Sequence, residues 1–309
     1  MHNRAVSSPA IPAPLPQAYR QFLELVAGVR PELHRYCARM TGSIADGEDV
    51  VQDTLAKAFY ALGTLDELPT LRPWLFRVAH NAAIDFTRRL QRSPVHLAAE
   101  LPDVPDVDES VDPETVRAAL AVFVALPPLQ RSVVILKDVV GHSAAEIAGM
   151  LETTVPAVKA ALFRGRERLR QERARQPGAI DTVAMPPEAS AALEAYVRLF
   201  NAGDWDGVRA LLADEVRLDL VSVATRKGKA VGVYFGRYAA EPDVRLTLGR
   251  LEGRAVLWAF APKSSEHPKY FIEVALDGER VTAIRDYRYV PYVTSELALA
   301  PHDTGASAG

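Results

Sequence analysis

Apolar side chains recur at every third or fourth position through most of the first 175 residues, and then the rhythm changes. Over 17–41, Tyr19, Phe22, Leu25, Val26, Val29 and Leu33 share one helical face, which predicts an amphipathic helix that Pro31 kinks or splits. Thr41-Gly42-Ser43 interrupts the pattern. A second helix is predicted over 46–62, apolar at Val50, Val51, Leu55, Ala58, Phe59 and Leu62. Asp46, Glu48 and Asp49 fall in its first turn, where carboxylates favour the positive helix end. A third, over 73–92, opens on Pro73 and carries Arg88, Arg89 and Arg92 in its last turns. Residues 114–173 return to helical patterning in about four helices. Pro127-Pro128 opens one of them, and Ser143 with Glu146 forms a capping box. A break at Glu152-Thr153-Thr154 precedes a last helix, whose first turn tolerates Pro156.

From Glu188 the period shortens. Helices are predicted over 188–202 and 204–213, then extended runs over 215–223, 231–238, 244–251, 254–260, 270–276 and 280–289. Two helices followed by antiparallel strands predict an α+β domain. Pro-, Ala- and Ser-rich residues 1–16 and the tail 296–309 read as disordered, and 93–113 and 174–187 as linkers. The expected organisation is therefore a helical unit over 17–92, a second over 114–173 and an α+β domain over 188–295.

Charge changes the picture through its distribution. The net charge is only −3, yet residues 100–114 hold seven acids and no base. Residues 159–175 hold seven bases against Glu167 and Glu172. A field is felt locally, so the basic stretch marks a candidate nucleic-acid face. Two helices around the break at 152–154 suit a helix-turn-helix, with Val155, Val158 and Leu162 inward and Lys159, Arg164, Arg166 and Arg168 on the other face. Glu152 occupies the turn position where a glycine is expected. On the second helix Asp49, Gln52 and Asp53 share one face with Asp46 nearby, forming an acidic and amide edge suited to a basic partner helix. On the third, Arg77, Asn81, Arg88 and Arg89 form a polar stripe opposite Leu75, Val78, Ala82 and Phe86, and Trp74 fits the core better than a base stack. Cys37 is the single cysteine, which excludes an intrachain disulfide and fits a reducing cytoplasm. No apolar run reaches the roughly 18 residues that span a bilayer. No catalytic residue, metal or cofactor is expected, and no membrane association.

Three ordered segments carry a family resemblance. DGEDVVQDTLAKAFYAL resembles the helix of sigma-70 region 2 that docks on the β′ clamp helices of RNA polymerase. LRPWLFRVAHNAAIDFTRR resembles the adjoining helix that faces the −10 element. The stretch from ALPPLQRSVVILKDVVGHS to KAALFRGRERLR resembles region 4, which holds the −35 element. Absence of other sigma regions makes the chain similar to the short, extracytoplasmic-function type. The resemblance implies all-α region 2 and region 4 (helix-turn-helix) domains, with core polymerase (β′ clamp, β flap) and promoter DNA as partners. It implies polymerase docking by Asp46, Asp49, Gln52 and Asp53, and −10 contacts by Arg72, Trp74, Arg77, Asn81, Arg88 and Arg89. It assigns −35 contacts to Ser143, Lys159, Arg164, Arg166 and Arg168. Where relatives often carry Ser-Arg, Ala160-Ala161 stands here, shifting the −35 contacts to those bases or to thymine-methyl contact by alanine. The loop Gly63–Leu71 is expected to receive an unstacked base.

YVRLFNAGDWDGVRALLADEVRLDLV and the strands after it resemble the cone-shaped SnoaL-like α+β domains. That implies an apolar pocket lined by Asp219, Tyr234, Asp286 and Tyr287, an unidentified small ligand, and a regulatory domain rather than an enzyme. Two alternatives remain at this point: a helix-turn-helix regulator without polymerase contact, and a small-molecule isomerase or hydrolase with a DNA-binding appendage.

Overall fold

The structure, a computed structural model, describes residues 17–62, 70–91, 115, 118–175, 187–299 and 302–303. The expected tail 1–16, the linker 93–113 and most of linker 174–187 and of loop 63–71 lie outside these residues. The helical part comprises α1 (Gln17–Thr41), α2 (Ile44–Leu62), α3 (Leu71–Gln91), α4 (Leu120–Val124), α5 (Pro128–Val134), α6 (Ala144–Met150) and α7 (Val155–Arg175). A π-helical turn, Ile135–Val139, extends α5. Pro31 does not split α1, which runs through it. Val29 before it and Leu33, Tyr36 and Cys37 beyond it are buried, so packing on both sides holds the helix across the lost hydrogen bond. The turn between α1 and α2 uses Gly42 at φ +79°. The two helices then approach so closely that a Cβ on Gly47 would lie 2.6 Å from the Ala38 Cα.

The two helical units share one apolar cluster, in which Tyr36 and Phe76 from the first pack with Phe123, Val134 and Ile147 from the second. Polar contacts cross the same seam. The Tyr36 hydroxyl lies 3.0 Å from His80 Nδ1 and donates to Ser132 Oγ at 3.3 Å. Buried Arg131 donates to the carbonyls of Met40 (2.7 Å), Val124 (2.6 Å) and Leu126 (2.9 Å), satisfying chain ends that the packing would otherwise leave unpaired.

The C-terminal domain begins with α8 (Pro187–Ala202) and α9 (Trp205–Ala210). Its strands are β1 (Leu212–Leu220), β2 (Ala224–Lys227), β3 (Arg245–Leu251), β4 (Arg254–Phe260), β5 (Tyr270–Asp277), β6 (Arg280–Asp286) and β7 (His302–Asp303). They form one sheet in the order β2-β1-β6-β5-β4-β3-β7. The β1–β6 pair is parallel and the other pairs are antiparallel.

Two expectations fail here. Residues 231–238 are not a strand: a 3-10 turn (Gly228–Val231) leads into α10 (Gly232–Ala240). Val231, Tyr234, Phe235 and Tyr238 are buried at spacings of three, one and three, the period of a helix face. Their β-branched and aromatic content imitated a strand. Nor is the tail from 296 wholly without structure, since a 3-10 segment spans Pro291–Leu299 and β7 pairs with β3.

The two sheet faces have different partners, as the alternation of strand residues requires. One face buries Leu218, Leu246, Leu257, Ile272 and Ile284 with Tyr196, Phe200, Phe235 and Tyr238 of α8 and α10. The opposite face carries Trp258, Phe260, Phe271 and Tyr287 into a cluster with Ala38, Ile44 and Ala45 of α1 and α2 and Leu120 of α4. The C-terminal domain thus sits on the helical part through an apolar surface.

Candidate functional site: an acidic helix face under the sheet

The acidic edge expected on α2 exists, and β-sheet arginines reach it. Arg254, at the start of β4, donates from Nη1 and Nη2 to both carboxylate oxygens of Asp46, at 3.1 and 3.2 Å. Arg285, near the end of β6, pairs with Asp49 through both terminal nitrogens. The same guanidinium meets Asp219 at 3.4 Å and Glu273 at 3.3 Å. Burial works against this cation, but Tyr287, Asp49 and Glu273 together hold its pKa above the ordinary arginine value. Asp53 pairs with Lys57 at 2.8 Å one turn on, and Gln52 is half-buried. Of the four expected docking residues, Asp46 and Asp49 are therefore engaged by the C-terminal domain, while Asp53 is paired within its own helix.

Other contacts reinforce this cover. The N-terminus of α2 leaves amide hydrogens without helical partners. Glu252 supplies one acceptor from another domain, taking the Ile44 N–H at 2.6 Å. It does so from the β3–β4 turn at φ +54°, a conformation that costs a non-glycine residue about 1 kcal/mol. Fully buried Glu48 accepts from Arg30 at 2.7 Å and from the Tyr292 hydroxyl at 2.9 Å. Arg39, buried on α1, pairs with Glu296 at 2.8 Å and lies over the Phe123 ring of α4 at 5.8 Å. One side chain thereby touches all three units.

The expected DNA-facing residues divide. Asn81, Arg88 and Arg89 are exposed on α3, and Arg72 pairs with Glu32. Trp74 is buried in the core, which corrects its assignment as a DNA contact in this conformation. Arg77 reaches across to the helix-turn-helix and pairs with Glu152 at 2.7 Å. Glu152 has φ +51°, so the turn does take the left-handed form that glycine would supply cheaply. Ser143 caps α6 as the box predicts: its Oγ accepts from the Glu146 N–H at 3.2 Å while Glu146 Oε2 accepts from its N–H at 2.8 Å. On α7, Arg168 is exposed, and Lys159 and Arg164 are half-buried. Arg166 is a correction: it is buried, with Nε 3.0 Å and Nη2 2.5 Å from the Asp138 carboxylate, and does not reach outward. Ala160 and Ala161 are likewise buried and unavailable for a thymine methyl, whereas Val155, expected inward, is partly exposed.

Within the C-terminal domain, Tyr234 and Asp286 lie together. The Asp286 carboxylate is fully buried and accepts from the hydroxyls of Tyr234 (2.9 Å) and Tyr238 (2.8 Å) and from the Arg288 N–H (2.9 Å). Burial pushes its pKa up, against these donors. Both side chains line a cavity of about 190 Å³. Asp219 and Tyr287 do not belong to it. Asp219 pairs in register with Arg285, so both lie on the sheet face turned toward α2, and Tyr287 stacks on Phe271 in that same apolar cluster.

Comparison with known proteins bears on both helical units. The family model for Sigma-70 region 2 matches residues 25–93. That for Sigma-70, region 4, matches residues 116–169. The ECF RNA polymerase sigma factor SigM of Mycobacterium tuberculosis is 33% identical over 139 residues, covering 45% of this chain and 69% of the relative.

The chain belongs to the extracytoplasmic-function sigma factors.

Another relative, SigG of Mycobacterium tuberculosis, is 35% identical over 217 residues, covering 60% of this sigma factor. The chain spans only 57% of that relative's length. The solved structure of Mycobacterium tuberculosis SigJ, an extracytoplasmic function sigma factor, aligns with 85% of this chain and 95% of its own at 21% identity, with a TM-score of 0.34.

The residues covering α2 were not anticipated. Arg254 and Arg285 fall in the expected strands, Glu252 between two of them and Tyr292 beyond the last. The one available signal was Arg285-Asp286-Tyr287, where alternation sends a cation and an anion to opposite faces of one strand.

Proposed function

We propose that this sigma factor directs core RNA polymerase to promoters and that the conformation described is its closed, resting form. In the open form Asp46, Asp49, Gln52 and Asp53 dock on the β′ clamp and region 4 meets the β flap. The exposed stripe Asn81, Arg88 and Arg89, with Arg72 and Arg77, engages the −10 element. Ser143, Lys159, Arg164 and Arg168 engage the −35 element. The chain performs no covalent chemistry itself, uses no cofactor and works with polymerase in the cytoplasm. The C-terminal domain regulates by occupying the docking face.

The observation that carries this reading is the pairing of Arg254 and Arg285 with Asp46 and Asp49. A basic partner helix needs those carboxylates, and two sheet arginines hold them. A second observation agrees. Elements about 25 base pairs apart lie roughly 85 Å apart along B-DNA, at ~3.4 Å per base pair. The pair between Arg77 and Glu152, 2.7 Å long, joins the two reading heads and is incompatible with both sites being occupied at once. Opening must separate region 2 from region 4 as well as from the sheet.

Transcription from a promoter-selection library with core polymerase tests the reading. Wild-type chain should give weak, promoter-specific initiation, strengthened when Arg254 and Arg285 are both changed to Ala and abolished by Asp49→Arg with Asp53→Arg. Initiation from no promoter by any of these proteins would overturn it.

A further inference from the structure

The cavity in the C-terminal cone has a chemistry of its own. Its lining combines the apolar Leu220 and Val233 and the aromatic Tyr234 with three arginines, Arg226, Arg237 and Arg288. The only carboxylate among the lining residues is Asp286, and its oxygens already receive three donors. Burial further disfavours its charge. The Glu241 carboxylate pairs with one terminal nitrogen of Arg288, and Arg237 donates to the Tyr289 hydroxyl. The other terminal nitrogen of Arg288, Nη1, is buried without a hydrogen-bond partner. A guanidinium nitrogen can only donate, and a buried donor without an acceptor is rare because it costs free energy. What the site lacks is an acceptor, and a negative one suits the three arginines best. Arginine presents paired N–H groups that match a carboxylate.

Size sets the rest. About 190 Å³ exceeds the ~150 Å³ that holds benzene in an apolar protein cavity. We propose that this cavity is a binding site for a small organic monocarboxylate with an apolar body of about the size of benzoate. The carboxylate meets Arg237 and the buried Nη1 of Arg288, and the body lies against Leu220, Val233 and the Tyr234 ring. Asp286 serves as the fixed acceptor that orients the two tyrosines, not as a base. Asp286 of the site directly follows Arg285, which holds Asp49, but ligand binding does not require that the cover over α2 be regulatory.

Titration calorimetry on the full chain tests the site with benzoate as probe, benzyl alcohol as its uncharged counterpart and inorganic phosphate as a charge without an apolar body. Benzoate should bind saturably and at least about tenfold more tightly than either control, one charge-assisted hydrogen bond being worth roughly that factor. Arg237→Met with Arg288→Met should lower benzoate affinity about tenfold or more. Because Arg288 also packs on Tyr238, a second variant guards against misfolding: Val233→Trp, at an exposed lining position, should block the site sterically with an unchanged circular dichroism spectrum. Absence of benzoate binding, equal binding of all three probes, or binding undiminished in both variants would each overturn the proposal.

Discussion

If the conformation described is the closed form proposed above, replacing Arg285 by Ala should strengthen binding to core polymerase. Arg285 is the hub of the cover: its side chain is 27% exposed and faces Asp49, Asp219 and Glu273. A fully exposed pair would be worth at most ~1 kcal/mol, and a hydrogen bond to a charged group in a protected site ~1.5–3 kcal/mol. Partial exposure places the loss of closure near ~2 kcal/mol, before counting repulsion among the three carboxylates left behind. Two kcal/mol is about thirtyfold in the ratio of closed to open forms. The apparent dissociation constant for a partner equals the intrinsic one divided by the competent fraction, so affinity for core polymerase should rise by up to about thirtyfold. Arg254→Ala removes a more exposed pair, 55% and 17% for its two side chains, and should raise it by only about threefold. Fluorescence anisotropy of labelled chain titrated with core polymerase measures both. Unchanged or weakened binding by Arg285→Ala, with an intact fold, would refute the reasoning.

Substitutions at three other places probe the same architecture. Gly47→Ala inserts a methyl group where a Cβ would lie 2.6 Å from Ala38 backbone atoms, and should lower stability in urea unfolding by about 1–3 kcal/mol while Gly149→Ala, with nothing within 4 Å of its Cβ position, should be neutral or slightly stabilising. Glu296→Ala removes the carboxylate paired with the buried Arg39 cation and should cost about 3 kcal/mol in the same assay, with Arg39→Met plus Glu296→Leu recovering much of it. His80 sits at the seam between regions 2 and 4, where burial lowers its pKa to about 4 from an ordinary value near 6.5. A depressed histidine contributes stability that is complete above the ordinary value and is lost as pH falls through 6.5 toward 4. The seam should loosen over that window, seen as faster hydrogen exchange in α5. His34 and His142, also depressed by burial, add to the effect, so His80→Gln should reduce the acid dependence without abolishing it.

Much of the helical part was legible because its packing is local: apolar positions at a helical period placed α2 and α3, and the capping box at Ser143 fixed the start of α6. The left-handed turn at Glu152 was legible for the same reason, being a backbone requirement of the helix pair. The failures concern long-range partners. Whether Arg166 faces DNA or folds back on Asp138, 28 residues away, depends on where the π-helical turn places that acid. Residues 231–238 satisfied strand composition and helix periodicity together, and burial under the sheet chose the helix. The acidic edge of α2 was correctly found, but nothing in the order of residues says that strands more than 200 positions later would cover it. In the C-terminal domain Tyr234 and Asp286 line one cavity, while Asp219 lies on the other sheet face because the parity of β1 is set by its parallel pairing with β6.

The central claim, that docking on polymerase requires the sheet to leave α2, is tested most directly by the distance between them. Cys37 is buried, so Ala56→Cys on α2 and Glu279→Cys in the β5–β6 turn, both exposed positions, can be labelled with a donor and acceptor pair. Single-molecule energy transfer should show one short-distance population in the free protein and a long-distance population once core polymerase is saturating. A polymerase-bound sigma factor that keeps the short distance would contradict the account.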